Sequence, residues 1–253
     1  GFSSLIKKFG GDPSAVPVPK AAAPKSETKP APQALIEAKY VVIRDADTLQ
    51  QWVDEAITNG LVAIDTETTS LNAVDAELVG VSLALAPGKA AYVPLAHVEG
   101  EAAKPQEDMF SAAPKRKLAD GQIPREEALK ILGKLFTHAG TLKVGHNLKY
   151  DLVVLEKYGV NIAPVGDTMV MSYATAAGLH GHGLDELAKL HCGHQMIAFT
   201  DVVGTGKAQK RFDEIDIESA TNYAAEDADF TLRLYHTLLP QIVEKQVMAV
   251  YET

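Results

Sequence analysis

Residues 61–71 read LVAIDTETTSL, and this stretch decides the fold. Leu61 to Ile64 is a short apolar run of the kind that forms a buried strand. Asp65 and Glu67 follow at once. Side chains two apart on a strand share a face, so two carboxylates stand side by side at the carboxyl end of a core strand. Burying like charges together costs on the order of several kcal/mol unless something cationic lies between them. The stretch therefore predicts a strand end that needs a cation.

Working outward, the neighbours alternate between strand and helix patterns. YVVIRD (40–45) reads as a strand, and DTLQQWVDEAITNG (47–60) as a helix capped by Asp47 or Thr48 and stopped by Gly60. LVGVSLALAPGKAAYVPL (78–95) reads as a hairpin turning at Ala86 to Lys89. PREEALKILGKLFTHAG is a helix with Pro124 near its start. LKVGHN is a strand that leads into the helix LKYDLVVLEKYG. Three further helices follow, DTMVMSYATAAG, LDELAKLHCG and DIESATNYAAEDADFTLRLYHTLLPQIVEK. The order predicts an α/β domain with a mixed sheet. Residues 11–36 are rich in Pro, Ala and Lys and predict a disordered linker, and residues 99–123 a long polar loop.

Composition narrows the function classes. The chain has 253 residues, 46% hydrophobic and 23% charged, as globular proteins do. With 24 Lys and Arg against 33 Asp and Glu the net charge is −9, which argues against a nucleic-acid binder relying on charge alone but not against an enzyme whose positive charge comes from metal ions. The one cysteine, Cys192, permits no internal disulfide, and with His191 and His194 it falls short of the four ligands of a structural zinc site. No apolar run approaches a membrane span, and no secretory signal pattern is present, so a cytoplasmic location is the expectation.

The chemistry gathers on acids. Asp151 opens the helix after GHN, and the long last helix carries NYAAEDAD. At about 100° per residue Tyr223 and Asp227 share a face, Glu226 lies near it as the rival acid, and Asp229 points away. A cluster of carboxylates without matching Cys or His favours hard divalent cations such as magnesium or manganese. Two such ions about 3.5–4 Å apart suit in-line attack on a phosphodiester. Each part has a plainer reading: an Asp after a strand often caps a helix, Asp167 reads as an N-cap, and His146 as structural. GTGK (204–207) lacks the spacing of a phosphate-binding P-loop, and Lys115-Arg116-Lys117 reads as a solvated tether. The weight rests on the combination.

DTETTSL, GHNLKYD and YAAEDAD, in this order, resemble the three exonuclease motifs of the proofreading domain of bacterial DNA polymerase I. That domain belongs to the DEDD exonuclease superfamily, in the branch with a Tyr in the last motif, and the resemblance covers roughly residues 40–253. It implies a ribonuclease H-like mixed sheet flanked by helices and places the exonuclease domain at 40–240. Residues 1–39 resemble the end of a 5′-nuclease domain plus linker, and 241–253 the start of the connection to a polymerase domain. The chain thus resembles the monomeric middle piece of a longer polymerase, with that polymerase domain as its partner.

The resemblance also implies roles. Asp65, Glu67, Asp151 and Asp227 match the family's metal-binding acids: Asp65 bridges two ions, Glu67 and Asp227 complete one site, and Asp151 serves the other largely through water. Tyr223 matches the Tyr that helps hold the attacking water. Leu71 and Phe199 match residues that wedge against the last bases, and Asn147 and Tyr150 match residues that grip the 3′ end. Where some relatives place an Arg, this chain has Gly181 or His182. The implied activity is 3′→5′ hydrolysis of a single-stranded or frayed DNA end, releasing nucleoside 5′-monophosphates. The alternatives are a ribonuclease D-like exoribonuclease and a non-catalytic scaffold, and retention of all four acids and Tyr223 argues against the scaffold.

Overall fold

A computed structural model describes residues 38–99 and 116–252. All of them fall in the compact unit Pro32–Thr253; a second unit, Gly1–Ala31, lies outside the described residues, as do the expected linker and residues 100–115 of the expected loop. The quoted stretch forms strand β2 (Leu61–Thr68). Around it stand β1 (Lys39–Val42), the hairpin β3 (Leu78–Ala86) and β4 (Lys89–Pro94), β5 (Leu142–Gly145) and β6 (Val165–Asp167). The six-stranded order is β1-β4-β3-β2-β5-β6. β2 runs antiparallel to β3 and parallel to β5, so the sheet is mixed, as expected.

Helix α1 (Ala46–Asn59) is capped by Asp45, whose side chain accepts from the Thr48 N–H at 2.8 Å. The expected caps, Asp47 and Thr48, lie inside the first turn instead, because the chain leaves β1 three residues earlier than YVVIRD implies. Gly60 ends the helix at φ 72°, a left-handed conformation that glycine adopts without Cβ strain. Helices α2 (Arg125–Phe136) and α3 (Lys149–Glu156) join α1 on one sheet face, packing Leu49, Val53, Leu132, Phe136 and Leu155 against Val62, Ile64, Val81 and Leu83. α4 (Thr168–Ala176) starts from Asp167, and α5 (Leu184–Leu187) widens into a π turn over Ala188–Cys192. α6 (Phe199–Val203), α7 (Ile217–Glu244) and α8 (Met248–Glu252) complete the chain. α7 runs through the expected domain boundary at residue 240.

α7 covers the other sheet face. Its Ala225, Ala228 and Leu232 meet Ala63, Ala84 and Ala90, and these small side chains let helix and strands approach closely. Both ends of the polar loop are tied down: the Glu99 N–H donates to the Lys117 carbonyl at 2.9 Å, and Val98 bridges Leu118. Lys117 is exposed and pairs with Glu99 at 2.8 Å, whereas half-buried Arg116 pairs with the buried side chain of Glu214, 98 residues away, and so departs from the solvated tether expected there. No helix among the described residues is long and apolar enough to cross a membrane.

Candidate active site

Strand alternation gives β2 two roles. Val62, Ile64 and Thr66 face α1 to α3, whereas Ala63, Asp65 and Glu67 face α7. The alanine contact sets the height of α7 over the sheet, and that height brings Asp227 over the strand end. One carboxylate oxygen from each of Asp65, Glu67 and Asp227 lies within 4.8 Å of the others. Glu67 is 7% exposed, and its Oε1 is buried with no hydrogen-bond partner among the described residues. Tyr223, one turn before Asp227, lies within hydrogen-bonding reach of its carboxylate.

Asp151 reaches the same cleft from α3 but belongs to a different shell of contacts. Its Oδ1 accepts from the Thr66 N–H at 3.0 Å and the Thr66 hydroxyl at 2.5 Å. It lies outside the tight trio of oxygens. Burial is the main force on all four acids. It raises Asp65 and Glu67 well above the carboxylate range, aided for Asp65 by Asp151, Glu67 and Asp227 and for Glu67 by Asp227 and Asp151. It pushes Asp151 up to about 7 and, with repulsion from Glu226, Asp227 up to about 8. Burial and the Asp227 charge also hold the Tyr223 phenol well above its ordinary value. Hard oxygen donors, a bare buried oxygen and this density of negative charge fit a divalent cation.

The other acids of NYAAEDAD have separate duties. Glu226 accepts from His194 Nε2 at 2.8 Å and the Ile197 N–H at 2.6 Å, which fixes the segment after the π turn. Asp229 is fully buried and accepts from the Tyr40 hydroxyl at 3.0 Å, the Gly88 N–H at 2.9 Å and the Arg233 guanidinium at 2.9 and 3.0 Å. It ties α7 to β1 and the β3–β4 turn.

The cleft measures about 820 Å³ and brings together all nine residues singled out as catalytic or substrate-binding. Leu71 stands 94% exposed at its rim. Phe199 lies edge-on to Tyr223 with ring centroids 5.9 Å apart and parallel to Phe212 at 6.3 Å. The Tyr150 hydroxyl meets Thr68 Oγ1 at 2.5 Å and the Ser70 carbonyl, bracing the strand exit. Asn147 sits at φ 65°, held by its N–H to Asp167 Oδ1 at 3.1 Å, while Leu148 donates to Asp167 Oδ2 at 2.8 Å. Asp167 caps α4 as expected and also shapes this loop. His146 bridges Thr168 Oγ1 at 2.8 Å and the His182 carbonyl at 3.0 Å, a structural placement. Gly181 donates its N–H to Glu186, and His182 meets Ser172 Oγ at 2.7 Å, so neither supplies a guanidinium-like donor to the cleft. His191, Cys192 and His194 form no metal-holding group among the described residues.

Sequence reasoning missed a row beside Glu67. Gly80 pairs with Glu67 across the β2–β3 ladder and Ser82 with Asp65. A Cβ on Gly80 would stand 2.1 Å from the Tyr92 hydroxyl oxygen, so the fully buried Tyr92 ring lies over that glycine. The His97 Nδ1–H donates to the Ile215 carbonyl at 2.9 Å, which leaves Nε2 to accept from the Tyr92 hydroxyl at 2.8 Å. The one signal for it was a glycine inside an otherwise apolar strand pattern.

A sheet end and a covering helix that converge carboxylates on an open cleft define an acid-lined hydrolytic site of the nuclease type. Residues 40–243 match the family described as 3′-5′ exonuclease, and the chain belongs to it. It is 46% identical over 222 residues to DNA polymerase I of Rhizobium leguminosarum, covering 84% of this chain and 21% of that protein. It is 40% identical over 205 residues to DNA polymerase I of Pseudomonas aeruginosa, covering 80% and 21%. The chain thus spans about a fifth of the length of these relatives. Among solved structures, Brucella melitensis NrnC with bound Mg2+ superposes with TM-score 0.55 at 21% identity, over 86% of this chain and 89% of that one. Escherichia coli RNase D, an exoribonuclease, superposes with TM-score 0.58 at 16% identity, over 83% and 47%. These likenesses establish a fold shared with exonucleases, the ribonuclease H-like sheet expected from the motifs.

Proposed function

We propose that this chain is the 3′→5′ proofreading exonuclease segment of a DNA polymerase I, hydrolysing the 3′-terminal phosphodiester of DNA. The observation that carries the reading is the trio of Asp65, Glu67 and Asp227 oxygens within 4.8 Å, with a bare buried oxygen on Glu67. Asp65, Glu67 and Asp227 would hold one divalent ion, and Asp65 with Asp151 a second, magnesium or manganese in each case. Such ions, when bound, make hydroxide available near neutral pH and stabilise charge on a leaving oxygen. Tyr223 and Glu67 orient the attacking water on the terminal phosphorus. The new P–O bond forms as the bond to the 3′ oxygen of the preceding nucleotide breaks. That 3′ oxygen leaves with a proton from solvent, and the product is a nucleoside 5′-monophosphate.

Substrate selection needs little base readout. Leu71 and Phe199 would wedge against the last bases, and Asn147 and Tyr150 would grip the 3′ end. Single-stranded ends are held by stacking and apolar contact, and mismatched ends melt most easily. DNA is favoured over RNA by the identity to DNA polymerase I, which far exceeds that to RNase D. In the parent protein a polymerase domain of the same chain would deliver the frayed primer, in the bacterial cytoplasm. The test is degradation of 5′-labelled single-stranded DNA and RNA, with magnesium or manganese and then with EDTA. A metal-dependent ladder shortening the DNA from its 3′ end is expected. Faster loss of RNA would favour the ribonuclease D-like reading, and intact substrates with folded protein the scaffold.

A further inference from the structure

The cleft has a second rim that the reaction does not use. Gln209, Lys210 and Arg211 line it together with Phe199 and Phe212. The segment is built, not loose: Gly204 and Gly206 turn it at φ 80° and 64°, the Lys210 N–H donates to the Val203 carbonyl at 2.8 Å, and the buried Phe212 anchors its end. Arg211 is already committed. Its Nε and Nη2 grip the Asp213 carboxylate at 3.0 and 2.8 Å, and its N–H donates to Glu214 Oε2 at 3.0 Å. Lys210 is exposed, and its ammonium group makes no ion pair or hydrogen bond among the described residues. It is the one uncommitted Lys or Arg among the described lining residues.

A strand entering this cleft carries more than one phosphate. The scissile phosphate goes to the acids and whatever cation they hold. The next phosphate lies beyond them in a cleft whose walls carry four carboxylates, and it needs a cation supplied by the protein. Lys210, which lines this cleft and also the neighbouring one bounded by Ile215 and Glu218, is the uncommitted cation available to supply it. Resting on the nuclease reading above, we propose that Lys210 binds the phosphodiester next to the scissile one, and so sets a preference for strands over dinucleotides.

For single strands each phosphate contact contributes about −0.7 to the slope of log affinity against log salt. Lys210→Ala should therefore flatten the slope of log Kd for a short single-stranded DNA by about 0.7. A four-fold rise in salt would then cost the wild type roughly 2.6-fold more affinity than the variant. Lys210→Arg should restore the slope. KM should rise several-fold more for the strand than for a dinucleotide with unphosphorylated ends, which offers only the scissile phosphodiester. Binding is read by fluorescence anisotropy in EDTA and cleavage with magnesium, so the salt slope reports on Lys210 even if the nuclease reading fails for want of cleavage. Equal slopes for wild type and Lys210→Ala, or the same proportional loss on strand and dinucleotide, would overturn the proposal.

Discussion

Asp151 Oδ1 accepts two hydrogen bonds from a single residue, Thr66, through its N–H at 3.0 Å and its hydroxyl at 2.5 Å. Thr66 lies between Asp65 and Glu67 in sequence but on the other face of β2. One tripeptide therefore offers two acids directly and fixes a third, 85 residues away, from behind.

Thr66→Val keeps the β-branched shape and removes one donor. Asp151 would lose a hydrogen bond that favours its charged form, so its carboxyl should rise further above about 7. Outer partners of metal-binding groups are worth about 10- to 100-fold in affinity. The magnesium concentration for half-maximal cleavage should rise by an amount in that range, with melting little changed. An unchanged metal dependence would show that the backbone N–H alone suffices.

Asp227 and Glu226 are adjacent, yet their surroundings separate them. Asp227→Ala removes an oxygen from the trio and should cut cleavage by roughly 10³-fold or more, as expected when several kcal/mol of metal-assisted stabilisation is lost. Glu226→Ala strands His194 Nε2 and the Ile197 N–H, at about 1–3 kcal/mol of stability. It should lower the melting temperature more than it lowers the rate per folded molecule. Paired kinetics and calorimetry on the two variants would expose a reversed assignment.

The periodicity of α7 left this pair open because neighbours on a helix differ by only 100° and both acids fall near the cleft side. Neighbours outside the helix decide, and those were not visible in a linear pattern. The strand-end acids were legible because alternation along β2 is a local rule. β6 was not: three residues, Val165–Asp167, exist as a strand only through parallel pairing with β5, and Asp167 reads equally as the cap it also is. The rim lysine was invisible for a different reason. Its meaning lies in having no local partner, whereas Arg116 and Lys117 look as basic in sequence yet pair with acids.

Gly80→Ala tests the row behind Glu67. The added Cβ would stand 2.1 Å from the Tyr92 oxygen and 2.3 Å from its ring carbon, so the ring must move and break its bond to His97. Overpacking of this kind costs about 1–3 kcal/mol, and a domain of this size loses roughly 2–4 °C per kcal/mol. Cleavage should fall as well, because Glu67 pairs with Gly80 across the ladder. A Gly80→Ala protein as stable and as active as wild type would sink the idea that the row supports Glu67.

The crowded acids set a pH dependence whose sign can be worked out. Burial, with the Glu226 charge, pushes Asp227 up to about 8 and burial pushes Asp151 up to about 7, against an ordinary value of 3.8. Between those limits the folded, metal-free protein holds protons that the unfolded chain has released, so its stability falls as pH rises through the window. His97 and His146, both pushed down by burial, oppose this only below about 6.5, and Lys143, pushed down to about 8 by burial, only above that pH. The clean comparison therefore runs from pH 6.5 to 8 in EDTA. There the wild-type melting temperature should drop, and Asp227→Asn, which cannot ionise at that position, should drop less and melt higher at pH 8. Magnesium or manganese competes for the same oxygens, so its binding at pH 7 should release protons, measurable by calorimetry in buffers of different ionisation enthalpy. A flat wild-type curve in EDTA together with no proton release would mean that the acids are already ionised without metal, and that burial weighs less on them than their placement implies.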